Sequence, residues 1–544
     1  MKNLIKNLFV LALALGLVGG CSSDRKTPVE IGNEQQIMHL GNGGEPADVD
    51  PHTTSGLPEN QIQRSLFEGL VSRTSESLEV IPGVAESWDI SEDRLTFTFH
   101  IRKNARWSNG DTLNAHDFVW AWQRALNPGL GNQYAYMYYV MKNAEAYNKG
   151  EITDFSEVGI RALDDYRLQV ELSGPTPYLL ELLAFKTMYP VHRATVEKFG
   201  GVDRRATAWT RPENFVGNGP FVIKEWAPNQ VLSVKKNPYY WDSDNIRLNE
   251  IHFYPIQSAN TEERMFRAGQ LHFINVLPVD KIEAYKTAGD PAYDEFPLFT
   301  TYYYHLNTTK APLNDVRVRK ALAYSIDRAL ITEKVMKGGQ LPAFNFTPPN
   351  DLGYTPEAKM VFDVELARKL LAEAGYPDGK GFPEVTILYN TLEQHQTIAV
   401  VIQQMWKEAL GIDVNMRNED WKVYLDNVRT MNYDIARAGW GGDYVDPNTF
   451  LDVHVTDGGQ NKTGWSNARY DELIRLAAQT ADQNQRFAYF QEAEAILVEE
   501  APIIPIYTYV RNRLVHPAIK NWHSNILDDY FYKHVYLEAD SGEQ

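Results

Sequence analysis

One cysteine, Cys21, stands in 544 residues, so no disulfide can form within the chain. A chain of this length buries enough apolar surface to fold without such staples. Long apolar runs are equally scarce. Residues 8–18 form one too short to cross a bilayer, and it follows Lys2 and Lys6, the pattern of an export leader over residues 1–20. Basic charge is in deficit, with 53 Lys and Arg against 71 Asp and Glu, a formal charge of −18. Removing the leader takes two lysines and no acid, which leaves −20. Neutralising phosphates needs clustered Lys or Arg, so this balance argues against nucleic acid as a partner. GxSxG, HExxH, Walker A and GxGxxG motifs are absent. The thirteen histidines show no metal spacing, and nothing selects two acids as an acid/base couple. The sequence therefore predicts no enzyme, no cofactor and no metal. Internal repeats and low-complexity tracts are missing too, and the length points to two to four domains.

Val18-Gly19-Gly20-Cys21 resembles a bacterial lipobox, which predicts lipidation of Cys21 and a polar tether over 21–33. Residues 434–450, DIARAGWGGDYVDPNTF, are the most telling stretch. Ile435, Arg437 and Gly439 alternate with Ala436, Ala438 and Trp440 as in a strand. Gly439, Gly441 and Gly442 leave main-chain groups bare for another backbone. Asp443 follows between Trp440 and Tyr444, where a carboxylate would receive the cationic amine of an extended chain. The same residues also describe an edge strand closing on an Asp-capped turn. Asp48, Asp50 and His52 fit no metal cage and read as a turn.

Elsewhere the periodicity is that of an α/β protein. Residues 363–422 alternate helix, strand, helix, strand, with Asp363 as an N-cap and Gly375 and Gly411 as stops. Leu95 to Ile101 alternate as a half-buried strand, and Asp117 opens an amphipathic helix through Phe118, Trp122 and Leu126. Asn314 or Asp315 caps a helix expected to run through Leu330 to Gly338-Gly339.

Several runs carry a resemblance: PGVAESWDISEDRLTFTFHIRKNARWSNGDTLNAHDFVWAWQR at 82–124, VGNGPFVIKEW at 216–226, NPYYWD at 237–242, APLNDVRVRKALAYSIDRALI at 311–331 and APIIPIYTYVRNRLV at 501–515. In this order they resemble the extracellular solute-binding proteins, family 5, and most closely the periplasmic oligopeptide-binding receptors of ABC importers. The resemblance implies a three-lobed periplasmic binding protein-like fold of the large, cluster C type. Two lobes would close on the ligand and one would be extra. Lobe I would comprise 34–67, 193–299 and 511–544, lobe II 68–192 and lobe III 300–510. It implies a periplasmic, monomeric, lipid-anchored receptor for short peptides, delivering them to inner-membrane permease subunits.

By the same resemblance Asp443 meets the peptide amine, and Gly439, Gly441 and Leu57 pair with its main chain. Arg437 and His395 match positions that meet its carboxylates. Trp421 and Trp440 form pocket walls, and Tyr134 approaches from the second lobe. The chain also departs from many relatives. Acids stand in them at Ser55 and His305, a lysine at or near Met336, and a disulfide at Thr300 and Gly441. Losing two acids makes an anionic ligand, such as a murein tripeptide containing diaminopimelate, the alternative. Twelve tryptophans keep a glycan-binding or glycan-hydrolysing envelope protein as a rival.

Overall fold

Periodicity becomes structure most directly where a cap and a stop bracket an apolar stripe. In the computed structural model, which describes residues 26–349 and 353–539, helix Val364–Glu373 starts where Asp363 accepts the Leu366 N–H at 2.9 Å. Helix Glu393–Leu410 ends at Gly411, whose φ of +71° suits glycine. The strands between them, Val385–Asn390 and Val414–Glu419, lie parallel, as βαβ connections require. Ile398, Ile402 and Trp406 of the helix are buried on this layer.

These strands belong to one sheet of eleven. Its path runs Val414–Glu419, Val385–Asn390, Ile435–Gly441, Tyr293–Leu306, Ile503–Val515, Phe273–Ile274, Ile37–Gly41, Glu250–Tyr254, Val231–Lys236 and Phe221–Ala227. Leu341–Pro342 joins Ile503–Val515 off this path. Two long strands, Tyr293–Leu306 and Ile503–Val515, therefore tie the two ends of the sheet together. Their pairing loses register between Pro297 and Thr301, opposite Val510 and Thr508. The irregular stretch spans the limit expected at 299/300, while the one expected at 510/511 lies just outside it, where Phe296 and Pro297 still pair with Arg511 and Val510. A separate four-stranded antiparallel sheet, Ala85–Ile90, Thr96–Ile101, Arg167–Glu171 and Ile160–Asp164, has helix Ala115–Ala125 beside it. Phe118 and Trp122 of that helix are fully buried. The molecule is thus α/β, with one large mixed sheet and a smaller antiparallel one.

Three expectations need correction. Residues 28–33 are not tether, because helix Pro28–Gln35 is docked there: Thr27 and Glu30 form a capping box, and the Val29 N–H bonds Gly269. The leader, Cys21 and the rest of the tether to residue 25 lie outside the described residues. Asp117 does not open its helix; Asn114 is the N-cap and Asp117 its reciprocal partner three residues on. The helix expected from 315 to 330 is broken after Tyr324. Ser325 Oγ bonds the carbonyls of Ala321 and Leu322, and Asp327 caps a new turn that widens into π geometry over Ile331–Met336. The Asp48–His52 stretch is a turn, its Asp50 carboxylate held by the buried Arg124 at 2.6 Å.

Candidate functional site

A cavity of about 910 Å³ opens beside the Ile435–Gly441 strand. That strand pairs along one edge with Tyr293–Leu306 through its whole length, from Leu306 opposite Ile435 to Thr300 opposite Gly441. Its other edge pairs with Val385–Asn390 only at Ile435 and Ala436. From Arg437 onward that second edge has no strand partner among the described residues, and Gly439 and Gly441 are exposed. Bare main chain with two glycines is a ready edge for an added strand.

Asp443 lies just past this edge. The turn is capped by Asp446, which accepts the Asn448 N–H at 2.9 Å, so the Asp443 carboxyl is not used as a cap. The Asp443 main chain is fixed instead, its N–H donating to Thr449 Oγ1 and its carbonyl accepting from Arg73. Its Oδ2 is buried with no hydrogen-bond partner. Burial pushes the carboxyl up to about 8, against the pull of Lys186 and with Asp529 adding to the rise.

All nine residues expected to contact ligand line this one cavity: Asp443, Arg437, Trp440, Gly439, Gly441, Trp421, His395, Tyr134 and Leu57. Arg437 rests over the Tyr302 ring at 4.8 Å and bonds Tyr509 and Asn390, with no carboxylate in ion-pair range among the described residues. His395 is buried, not on the surface as a histidine near a helix start would be. Burial first, and then Arg437, keep its imidazole neutral. Trp440 donates from Nε1 to the Thr449 carbonyl, and its ring meets that of Tyr134 at 6.3 Å. Trp421 begins helix Trp421–Arg429 and packs against Gly44 and Gly56. A Cβ at Gly56 would lie 2.8 Å from the Trp421 ring. Leu57 is the first residue of helix Leu57–Leu66 and is exposed to the cavity, where its N–H lies among those a helix leaves free.

Among the charged residues of the cavity wall that sequence reasoning missed are Lys186 and Glu59. Lys186 lies in the cavity wall 1% exposed, its ammonium without a hydrogen-bond partner. Desolvation lowers it to about 8, with Glu59 and Asp443 opposing. Glu59 is fully buried, giving one oxygen to the Ala47 N–H and leaving the other unpartnered. A lone lysine inside the apolar run 178–189 was the available signal for Lys186. The positions of the chain's departures, Ser55, His305, Met336 and the cross-strand pair Thr300 and Gly441, also line this cavity. Among the described residues no cluster of His, Cys, Asp or Glu could hold a metal, and no helix is long and apolar enough to cross a membrane.

Against known proteins, residues 79–462 match the model of the bacterial extracellular solute-binding proteins, family 5. The chain belongs to that family. It is 36% identical to the periplasmic oligopeptide-binding protein OppA of Salmonella typhimurium over 99% of both chains. The structure of Haemophilus influenzae OppA in complex with RPPGFSPFR matches with a TM-score of 0.88 at 36% identity, covering 93% of this chain and 99% of that one. The Escherichia coli murein tripeptide-binding protein MppA also gives 0.88, at 37% identity over 92% of this chain and 98% of its own. An unliganded open form of MppA gives only 0.61 at the same identity, over 93% and 98%. Both 0.88 matches extend over nearly the whole chain, so its fold is the α/β, three-lobed periplasmic binding architecture of those proteins.

Proposed function

We propose that this protein is the substrate-binding component of an ABC peptide importer, holding short peptides in extended form between two lobes and passing them to an inner-membrane permease. The observation that carries the reading is the unpartnered Asp443 carboxyl at the end of an unpaired strand edge. A peptide α-amine has a pKa of about 7.7–8.0 and is mostly cationic at neutral pH, so it supplies the missing charge. Five or six main-chain bonds at ~1 kcal/mol each, with charged ends added, reach the ~8 kcal/mol of a micromolar complex. Specific side-chain contacts are then dispensable, and one receptor accepts many sequences. Residues 34–67, 193–299 and 511–544 form one closing lobe and 300–510 the other, hinged where the two long strands lose register. Cys21 carries a lipid that tethers the monomer to the envelope membrane.

The murein-peptide reading is the second one. Ser55 and His305, where the resemblance implies acids, line the cavity without negative charge, which favours an anionic ligand.

Native mass spectrometry of protein purified from its own envelope, followed by denaturation, tests both. Short peptides with free N-termini are the expected release. A single diaminopimelate-containing species selects the murein reading, and an oligosaccharide overturns both. Lys186 gives a further check. Its ammonium lies beside the place assigned to the ligand's own, so Lys186→Met should tighten free-amine peptides by roughly three- to tenfold through lost like-charge repulsion. Weaker binding measured by calorimetry would mean that Lys186 itself holds the ligand.

A further inference from the structure

The turn that carries Asp443 is also gripped from behind, by a residue outside the cavity lining. Tyr178, just before the short helix Leu179–Leu183, is buried. Its ring lies flat on that of Tyr444, with centroids 5.3 Å apart and planes 4° from parallel. The Arg486 guanidinium lies 4.8 Å from the centre of the same ring. Arg486 holds Asp446 through two nitrogens, each at 2.6 Å, and Asp446 in turn caps the turn at Asn448. One ring from residue 178 thus bears on the residue next to Asp443 and on the pair that shapes its turn.

The segment 68–192, lobe II of the proposed division, is fastened to lobe I. Arg124 is buried against Asp50 at 2.6 Å, and Arg73 against Asp529 at 3.2 Å. Breaking a buried ion pair strands a charge, so these two lobes move as one. Toward 300–510 the contacts are of another kind. Tyr134 meets Trp440, Arg73 donates to the Asp443 carbonyl at 3.1 Å, and Gly459 packs on the Gln133 carbonyl. Gly174 faces the Gln479 side chain. Arg486 brings its own counter-charge in Asp446, so parting it from Tyr178 leaves neither ion unpaired. Rings and main chain can separate and rejoin where ion pairs cannot. The better match to a peptide-bound relative than to an unliganded open one marks this contact as part of the closed form.

We propose that Tyr178 is a positioning residue for peptide binding: it seats the turn bearing Asp443 on lobe II as the lobes close, and so sets how long a peptide is held. The inference rests on the peptide-receptor reading and its lobe division. Tyr178 touches no ligand and acts through Tyr444 and Arg486. Its effect is therefore the same for every peptide, whatever the side chains. Lobe II becomes the bed on which lobe III comes to rest. Because the contact forms after encounter, it governs release and not association.

The test is stopped-flow fluorescence with tri-alanine and tri-lysine, read by Trp421 and Trp440 in the cavity wall. Tyr178→Leu keeps apolar bulk and loses the flat ring. It should release both peptides about tenfold faster, the joint worth of a ring pair and a cation over a ring, with association within twofold of wild type. Tyr178→Phe keeps the ring and should match the wild type. Tyr444→Leu removes the other ring and carries the measurement should Tyr178→Leu fail to fold. The double variant should release more slowly than the product of the two single effects requires, since the rings form one contact. Unchanged release, slowed association in its place, or fully additive effects overturn the proposal and leave the receptor reading standing. A lowered melting temperature of the ligand-free protein without faster release overturns it too, by confining Tyr178 to packing within lobe II. Failure of the wild type to bind either peptide overturns the receptor reading and this inference with it.

Discussion

Asp443→Ala should lower affinity for peptides with free N-termini by two to three orders of magnitude. The expectation follows from burial. A closed cavity around the ligand leaves its ammonium with no water to replace the lost carboxylate, and breaking a buried pair on one side costs roughly 3–5 kcal/mol. Asp443→Asn, which keeps shape and removes charge, should lose nearly as much, because an amide offers no net charge to an ammonium. N-acetyl peptides, which never supplied the cation, should bind the variants no worse than the wild type. Isothermal calorimetry on protein stripped of co-purified ligand reads all three. Unchanged affinity for the free-amine peptide would remove Asp443 from the amine site.

The second large effect is a pH dependence that free-amine and N-acetyl peptides should not share. Burial raises the Asp443 carboxyl from an ordinary 3.8 to about 8. Lys186, Arg73 and Arg64 face it and lower it, while Asp529 raises it. An opened, solvated Asp443 returns toward its ordinary value. Closing on a ligand without an ammonium therefore requires the carboxyl to take up a proton. That closure is fully favoured below about pH 4 and is progressively lost as the pH rises through about 8. Affinity for N-acetyl peptides should fall by roughly a hundredfold between pH 5 and 8, allowing for partial neutralisation by the nearby cations. Free-amine peptides bring their own positive charge, so their affinity should stay level until that amine titrates at about 7.7–8.0. Calorimetry at pH 5, 6.5 and 8 separates the two profiles, and Asp443→Asn should flatten the first. Parallel profiles for both ligands would place the titrating group elsewhere.

Much of the fold could be read from sequence because its signals are local. Asp363 with Gly375, and the glycine stop at 411, bracket their helices by backbone chemistry that needs no tertiary partner. The misreadings arose where two local signals competed. Asn114 and Asp117 both suit a helix start, and only the reciprocal bonding decides which is the cap. The apolar stripe from Val318 to Leu330 is continuous in sequence, yet Ser325 and Asp327 break it by bonding main chain. At the site, Arg437 to Asp443 could be read because strand alternation and glycines place them together. Of Lys186 only the oddity of a lysine among apolar residues is visible in sequence, and of Glu59 nothing is. Their meaning depends on what faces them across the cavity, and no spacing within the chain encodes that.

The irregular pairing between Pro297 and Thr301 also sets where Asp443, the proposed amine receptor, stands mechanically. The Gly442 N–H bonds the Phe299 carbonyl at 2.8 Å, so Asp443 is one residue from the point where the long strands lose register. A rotating body moves each atom in proportion to its lever arm. With the hinge proposed at this irregularity, Asp443 would barely travel as the lobes part. The edge strand Val414–Glu419 lies three strands out, roughly 14 Å away at ~4.8 Å per strand, and helix Trp421–Arg429 follows it on a wider arc. On the proposed reading, a peptide would be seized by its amino end near the pivot and let go there last, with its far end swinging free first.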